Sequence, residues 1–290
     1  TATANFTFPT AAIATAYFPY IFQVHNTGHK VEVNTLGKFF IANGGLGNIY
    51  KTAHFHFHWR KYSNRGSEHT IDSKKAPLEM HIVSWNQKYM NADDAAKYTD
   101  GLTVLSILFK LSTRDNPVLE PVIQVLPEVK DPDNGVLITI PATSIKHFLP
   151  KFPDRYFRYH GSLTTPNCNQ AVIWSVFEQR QFISERQLNY FRQMLASSTN
   201  SETKVQKQLD QVTNGREFSR RVRLIDNFRP IYELHGRHVY RSFKHYDVKQ
   251  SLSKYYKAQF NSKSCLKPFD FKTGSKGYLS LKPPSYLPIL

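Results

Sequence analysis

Three histidines alternate with aromatic residues in the run Ala53-His54-Phe55-His56-Phe57-His58-Trp59. Alternate side chains of a β-strand share one face, so His56 and His58 are expected to lie together while the aromatic residues face a packed core. Two imidazoles on one rigid face can supply two ligands to a metal ion. Histidines also alternate on exposed strand faces that bind no metal, and this run alone leaves both interpretations open.

A second alternating run, Leu78-Glu79-Met80-His81-Ile82-Val83-Ser84-Trp85, places Glu79 and His81 on one face. If the two strands pair, His81 completes a set of three neutral nitrogen ligands. Three protein ligands with an open fourth position are typical of catalytic zinc sites. Glu79 would then accept an N–H from one of the imidazoles and fix its orientation. The predicted cofactor is Zn2+, bound by His56, His58 and His81.

The strands that must position these histidines are predicted from short apolar runs separated by turn residues. The runs are Tyr20–Val24, Lys30–Val33, Lys38–Ala42, Tyr50–Trp59, Pro77–Trp85, Leu102–Leu111, Gly135–Ile140 and Ala171–Val176. Their spacing favours a mostly β architecture with a few short helices. The strongest helix signal is a capping box formed by Ser184 and Gln187, which precedes Leu188 and Phe191 at helical spacing.

The composition limits the class of protein. A chain of 290 residues with 40% hydrophobic residues can bury a large core, which excludes disorder throughout. No apolar run reaches the roughly 18 to 20 residues that cross a bilayer, so we expect no transmembrane segment. Two cysteines exclude a disulfide-rich scaffold. The basic residues are scattered and form no recognised module, so we expect no nucleic-acid partner.

The charge of the chain points to a negatively charged partner. Lys and Arg number 38 against 22 Asp and Glu, a formal net charge of +16. Residues 244–290 form a basic, aromatic- and Pro-containing C-terminal extension to a domain at residues 1–243. The extension either packs on the domain through its aromatic residues or binds a polyanion such as a sulfated polysaccharide or a mineral surface.

Three further segments carry a resemblance to a known family. They are Gly66-Ser67-Glu68-His69-Thr70, the second strand through Asn86, and Tyr159-His160-Gly161-Ser162-Leu163-Thr164-Thr165-Pro166. Together with the histidine run they resemble the α-class carbonic anhydrases, from about Val24 to Phe243. The resemblance implies a single large, central, twisted mixed β-sheet. It also implies reversible hydration of carbon dioxide to bicarbonate and a proton, with a zinc-bound hydroxide as the nucleophile.

The resemblance implies a role for each matching residue. The zinc ligands fall on His56, His58 and His81. The polar residues expected to support these ligands are Glu79, Glu68, His54 and Asn227. Thr164 is expected to orient the nucleophile and donate to Glu68, with Thr165 beside it at the substrate. The apolar wall for carbon dioxide maps to Val83, Val104, Leu163, Val172 and Trp174. His29, in the segment Asn26-Thr27-Gly28-His29, resembles the proton shuttle.

The sequence departs from the family pattern at several positions near the site, which include His54, Arg60, Asn167 and Gln170. The family has Gln two residues before its first zinc ligand, where this chain has His54. An imidazole accepts or donates through one nitrogen at a time, so we expect a looser orientation of His56. Asn167 stands where the family has a second Pro, so the usual cis X-Pro bond cannot form there.

Further predictions concern the two ends of the chain. The family's N-terminal segment would precede Thr1, and we expect it to be cleaved, replaced by the C-terminal extension, missing from this sequence, or supplied by a separate chain or larger assembly. Secreted members of the family bridge the cysteine at position 168 to that segment, and here Cys265 is the remaining partner, so a Cys168–Cys265 disulfide is predicted. The triplet Asn5-Phe6-Thr7 predicts N-glycosylation at Asn5 if the chain is secreted.

Other functions and another compartment compete with this prediction. The alternative function is a carbonic anhydrase-like binding protein, or a biomineral or extracellular-matrix protein, that recognises a polyanion with weak or no catalysis. Binding members of the family lose zinc histidines, and this chain keeps all three. Secretion is the expected localisation, with an organellar location, including the mitochondrion, as the alternative.

Overall fold

The computed structural model describes residues 6–7, 20–198 and 222–243. The strands are β1 (Phe6–Thr7), β2 (Ile21–Asn26), β3 (Val31–Leu36), β4 (Phe40–Asn43), β5 (Tyr50–Trp59), β6 (Leu78–Asn86), β7 (Leu102–Ser112), β8 (Leu137–Pro141), β9 (Tyr156–Gly161), β10 (Val172–Phe177), β11 (Gln181–Ser184) and β12 (Tyr240–Arg241). The α-helices are α1 (Ala92–Ala95), α2 (Glu120–Val125) and α3 (Glu185–Phe191), and two short 3-10 helices span Pro132–Asn134 and Ile145–Phe148. The prediction of a mostly β chain with few short helices is confirmed.

The strands form one large mixed sheet. Its main path runs β12-β9-β10-β7-β6-β5-β3-β2-β8, with β4 paired to β1 and β5, and β11 paired to β7. β7 pairs in parallel with β10 and β11, and the other pairs are antiparallel. The histidine strands β5 and β6 therefore lie in the middle of the sheet, where neighbours on both sides fix their register. This is the sheet that the resemblance implied.

A β-bulge aims the histidines of β5. The register of β5 against β6 shifts between Thr52 and His54. Before the shift Tyr50 points into the main apolar core, and after it Phe55 and Phe57 do so. An extra residue in one strand reverses which face the following side chains occupy. The histidines after the bulge therefore point away from the apolar core.

The aromatic side of β5 anchors the strand. Phe55, Phe57 and Trp59 are fully buried. Phe57 and Trp59 both pack against Phe191 of α3, with ring centroids 4.8 Å and 5.4 Å apart. The indole N–H of Trp59 donates to the carbonyl oxygen of Leu224 at 3.0 Å. Burial on this scale holds the opposite, histidine-bearing face rigid.

The helix that follows Ser184 is confirmed, with one difference. Ser184 caps α3 and accepts from the backbone N–H of Gln187 at 3.0 Å. The side chain of Gln187 does not complete the capping box. Its Nε2 donates to the carbonyl of Asn116 at 2.9 Å and to Glu120 at 2.7 Å, which joins α3 to α2. Among the described residues, no helix has the length and apolar content needed to cross a membrane.

Candidate metal centre

Three histidine side chains converge on one face of the central sheet. β5 provides His56 and His58, and β6 provides His81, which lies directly across from His56. One ring nitrogen of each lies within 4.8 Å of the other two, and all three residues are buried. The Nε2 of His58 is 3.1 Å from the Nδ1 of His81. The pairing of the two alternating strands thus brings the three predicted ligands together.

Glu79 fixes the ring of His81. Its Oε1 accepts from His81 Nε2 at 2.6 Å and from the hydroxyl of Ser106 at 2.7 Å. Because Nε2 carries the hydrogen, Nδ1 keeps its lone pair for a metal ion. Burial raises the pKa of Glu79, but the charges and hydrogen bonds of His69 and His81 outweigh burial and hold this pKa well below its ordinary value. Glu79 is therefore an ionised acceptor at neutral pH.

A backbone carbonyl fixes the ring of His58. Its Nδ1 donates to the carbonyl oxygen of Asn227 at 2.8 Å, which leaves Nε2 free to bind a metal. The Asn227 side chain also holds β5, since its Oδ1 accepts from the backbone N–H of Trp59 at 2.8 Å and its Nδ2 donates to the carbonyl of Phe57 at 3.1 Å. Burial lowers the pKa of His58, so its ring is neutral at pH 7.

His56 lacks the partner that its two neighbours have. Its Nδ1 is buried and has no hydrogen-bond partner among the residues that the structure describes. His54 lies beside it, with ring centroids 5.3 Å apart and ring planes inclined by 34°, but does not bond this nitrogen. Burial lowers the pKa of His56 well below its ordinary value, and burial lowers the pKa of His54 to about 4, so both rings are neutral.

The donor set fits zinc. The hydrogens of His58 Nδ1 and His81 Nε2 are both donated outward, so the two nitrogens that face each other at 3.1 Å carry lone pairs. Two lone pairs at this distance repel unless a cation lies between them. Tetrahedral zinc with Zn–N bonds of about 2.0 to 2.1 Å separates its ligand nitrogens by about 3.3 Å. Zn2+ is the cofactor that this set takes.

A hydrogen-bonded chain behind the ligands was missed by sequence reasoning. His69 Nδ1 lies 2.5 Å from Glu79 Oε1, its backbone N–H donates to Oε2 at 2.8 Å, and its Nε2 lies 2.7 Å from the hydroxyl of Tyr159. Burial lowers the pKa of His69, but the charge of Glu79 outweighs burial and raises this pKa above its ordinary value. His69 and Tyr159 both stand in segments that carry the resemblance, but their spacing does not pair them with Glu79.

Glu68 lies close to two of the ligands. Its side chain is 6% exposed, with Oε1 at 3.7 Å from His58 Nδ1 and Oε2 at 4.0 Å from His81 Nδ1. Oε1 accepts from the backbone N–H of Arg229 at 2.8 Å. Oε2 is buried, and no group in the described part of the chain forms a hydrogen bond with it. The donation expected from Thr164 to Glu68 is therefore absent in this structure.

A largely apolar cavity of about 200 Å3 opens beside the histidines. Four of the predicted wall residues line it, together with both threonines of the loop after β9: Val83, Val104, Leu163, Trp174, Thr164 and Thr165. Val172 is not part of this lining; it is fully buried in the apolar cluster that contains Val104 and Trp174. A small apolar molecule in this cavity would lie next to the histidine centre.

His29 lies outside this cavity lining. Its side chain is exposed, and its carbonyl oxygen accepts from Asn227 Nδ2 at 3.2 Å. Its neighbour Lys30 does line the cavity. The role of His29 as proton shuttle remains a prediction.

The remaining predictions concern the loop after Thr165 and the chain ends. Asn167 and Cys168 both have positive φ values, 78° and 45°, so the loop turns through the left-handed region at the departure from the family pattern. Cys168 is partly exposed and unbridged among the described residues. Cys265, Asn5 and the extension 244–290 lie outside the described residues, so the disulfide and the glycosylation site stay predictions.

A buried centre of three histidines in the middle of one large mixed sheet, beside an apolar cavity, defines a zinc-binding protein of the open, three-ligand type. A profile of eukaryotic-type carbonic anhydrases matches residues 13–243. The chain belongs to this family.

Three relatives give the extent of the match. Carbonic anhydrase 5B, mitochondrial, of Rattus norvegicus is 34% identical over 227 residues, which is 77% of this chain and 65% of that relative. Carbonic anhydrase 7 of Homo sapiens is 33% identical over 226 residues, 77% of each chain. Carbonic anhydrase 5A, mitochondrial, of Rattus norvegicus is 34% identical over 223 residues, 76% of this chain and 66% of that relative. The chain therefore spans about two thirds of the length of its mitochondrial relatives.

Proposed function

We propose that this protein is a zinc-dependent carbonic anhydrase, a lyase that interconverts carbon dioxide and water with bicarbonate and a proton. One observation carries the proposal: His56, His58 and His81 bring one ring nitrogen each within 4.8 Å of the other two, next to a largely apolar cavity. Zinc held by three neutral imidazoles lowers the pKa of a bound water to about 7. The relatives named above carry the same activity in their names.

Other residues of the chain either hold the zinc ligands in position or bind the substrate. Glu79 and the Asn227 carbonyl hold two of the imidazoles in the tautomers that expose their lone pairs. Val83, Val104 and Trp174 form an apolar surface that suits carbon dioxide, which carries no charge and needs no charged clamp. This apolar surface would place the substrate beside the zinc centre and hold bulk water away from the reacting carbon.

Thr164 is proposed to orient the attacking oxygen. It lines the cavity beside the histidines, and Glu68 Oε2 is a buried oxygen that lacks a donor. A hydroxyl that donates to Glu68 can accept only through its lone pairs, which fixes the direction of the hydrogen bond it receives. His29 is proposed to carry the product proton to solvent, since it is exposed and an imidazole can accept a proton through one nitrogen and donate one through the other.

Zinc content and carbon dioxide hydration, measured on the full chain, test the proposal. We expect one zinc per chain and hydration at neutral pH. His81→Ala should lose both, because two imidazoles do not make a stable tetrahedral site. His160→Ala, at an exposed position of β9, serves as the matched control and should keep both. Stoichiometric zinc and full activity in His81→Ala would refute the ligand assignment.

We further propose an organellar location, the mitochondrion, in preference to secretion. The support is the similarity to carbonic anhydrases 5B and 5A, whose names place them in mitochondria. Imaging the tagged full-length protein in its own cells decides between the two locations, with labelling of the secretory pathway as the contrary result.

The polyanion-binding alternative is not favoured, because the three ligand histidines are intact and convergent. We keep the division into a domain at residues 1–243 and a basic extension at 244–290 as a proposal. Binding of a polyanion through the extension is compatible with catalysis by the domain. Retention on a heparin column with and without residues 244–290 tests this binding.

A further inference from the structure

The starting point is the buried Nδ1 of His56, which has no hydrogen-bond partner within residues 20–198 and 222–243. His58 and His81 each donate their outer N–H to a fixed oxygen, at 2.8 Å and 2.6 Å. A neutral imidazole that binds zinc through one nitrogen carries a hydrogen on the other, and that N–H needs an acceptor to orient the ring. The centre is therefore complete only if something accepts from His56.

His54 is the side chain best placed to accept. It lies two residues earlier on the same face of β5, with its ring centroid 5.3 Å from that of His56. An imidazole nitrogen accepts a hydrogen bond only when the hydrogen of that ring is on the other nitrogen. His54 can therefore serve His56 only if a third group holds its own hydrogen on the far side of the ring.

Glu32 of β3 supplies that third group. The register of β3 against β5 places Glu32 directly across from His56. Glu32 Oε2 lies 3.6 Å from His54 Nε2, and its side chain is only 16% exposed. One oxygen of Glu32 and one ring nitrogen each of His54 and His56 lie within 4.8 Å of one another. A small rotation of His54, or one bridging water, spans the 3.6 Å between His54 Nε2 and Glu32 Oε2.

We propose that Glu32 is a positioning residue for the zinc ligand His56 and acts through His54. Glu32 accepts the Nε2 hydrogen of His54, which leaves Nδ1 of His54 as the acceptor for the Nδ1 hydrogen of His56. The proposal rests on the zinc centre of the proposed function. It explains how a histidine can stand where the family has a glutamine, whose carbonyl oxygen accepts without help from a third residue.

Lys30 decides between this role and a second metal site. The same three residues also satisfy the spacing for a cation. The ammonium of Lys30, however, already lies 2.7 Å from Glu32 Oε2. A second cation would have to displace this lysine, whereas a hydrogen bond from His54 to the carboxylate does not. Metal stoichiometry separates the two interpretations.

A double-mutant cycle on zinc release tests the proposal. Wild type, Glu32→Ala, His54→Gln and the double variant are loaded with zinc and mixed with dipicolinate, and the release rate is followed. Glu32→Ala should release zinc about 10-fold faster, the lower end of the effect of groups that support metal ligands. In the His54→Gln background the same change should alter the rate by less than about 2-fold, because glutamine accepts without Glu32. Glu178→Gln, whose carboxylate pairs with Arg155, is the control.

Several outcomes would overturn the proposal. An equal effect of Glu32→Ala in both backgrounds would mean that Glu32 acts without His54. An unchanged release rate in both backgrounds would mean that Glu32 does not support the zinc centre. Two zinc ions per chain in wild type but one in Glu32→Ala would mean that Glu32, His54 and His56 form a second metal site. If Glu32→Ala does not fold, His54→Leu replaces it and should release zinc about 10-fold faster than His54→Gln; equal rates would overturn the proposal.

These outcomes are independent of the proposed activity. A wild-type chain that binds zinc but hydrates no carbon dioxide would refute the proposed function. Its zinc release rates would still support or overturn the role of Glu32.

Discussion

Replacing Glu79 by glutamine tests how strongly one carboxylate holds the histidine centre. Its Oε1 accepts from His69 Nδ1, His81 Nε2 and Ser106 Oγ at 2.5, 2.6 and 2.7 Å, and its Oε2 accepts from the backbone N–H of His69 at 2.8 Å. Glutamine keeps the shape but replaces one oxygen with an NH2 donor. With the amide oxygen in the Oε1 position, this NH2 group opposes the His69 N–H, and two donors face each other.

Two losses set the magnitude. A buried N–H without an acceptor costs about 1 to 3 kcal/mol. Removing one partner of a buried ion pair costs about 3 to 5 kcal/mol, but His69 can release its proton, which limits this second loss. We therefore expect the metal-free variant to lose about 3 kcal/mol of the free energy of unfolding at pH 6. Zinc affinity should fall about 10- to 100-fold, because His81 loses the charge that orients it.

Urea unfolding of the metal-free proteins and zinc competition against a chelator measure the two effects separately. Glu178→Gln is again the matched control, since it removes a carboxylate that pairs with Arg155 and does not line the cavity. An unchanged unfolding midpoint together with wild-type zinc affinity in Glu79→Gln would refute the assigned role of this carboxylate.

Four further predictions concern the proton path, pH, the extension and the cysteines. His29→Ala should lower the turnover of carbon dioxide hydration in dilute buffer and be rescued by added imidazole, because proton transfer alone is lost; identical rates for both proteins in both buffers would exclude His29. Because the pKa of His69 is raised in the folded protein, its contribution to stability is complete below pH 6.5 and is lost as pH rises through the pKa of the folded state. Because the pKa of Glu79 is lowered, its contribution is complete above pH 4.5 and is lost as pH falls through the pKa of the folded state. The lowered pKa values of His54, His56 and His58 also make the metal-free protein less stable as pH falls below 6.5. Urea unfolding should therefore show a stability maximum near pH 6.5, and His69→Gln should weaken the loss of stability on its alkaline side; an unchanged alkaline side in that variant would contradict the pairing. Deleting residues 244–290 should weaken retention on a heparin column and leave hydration intact; unchanged retention would assign the charge effect to the domain. A non-reduced digest analysed by mass spectrometry should yield a peptide pair linked through Cys168 and Cys265 if the chain passes through an oxidising compartment, whereas two alkylatable thiols would contradict the bridge and agree with the mitochondrial proposal.

The ligand set was accessible to sequence reasoning because its information is local. The period of two along β5 and β6 places His56 and His58 on one face of β5 and fixes the face of β6 that His81 occupies. Pairing of the two strands then brings the three side chains together. The supporting partners depend on longer-range geometry. Asn227 reaches His58 across 169 positions of the chain, and no periodicity encodes such a contact.

The roles of His69 and Glu32 could not be predicted for two different reasons. His69 reaches Glu79 through a loop whose path is set by backbone turns, not by a repeat in the sequence. Glu32 lies in a strand that the sequence does predict, but its position opposite His56 depends on the register of β3 against β5. A shift of one residue would turn the carboxylate to the other face, and the sequence pattern does not fix that choice. The bulge between Thr52 and His54 adds a second undetermined shift.

The contact between His58 and Asn227 has a consequence for biosynthesis. Asn227 and its neighbours close the centre from a late part of the chain: Arg229 binds Glu68 through its backbone, and Leu224 accepts from Trp59. At about 5 to 20 residues per second, the ribosome needs roughly 8 to 34 s to make the 169 residues between His58 and Asn227. The nascent chain therefore holds its histidine strand for that time without the carbonyl that sets the tautomer of His58. A histidine centre with all its supporting contacts therefore requires the segment around residue 227 to be synthesised and in place.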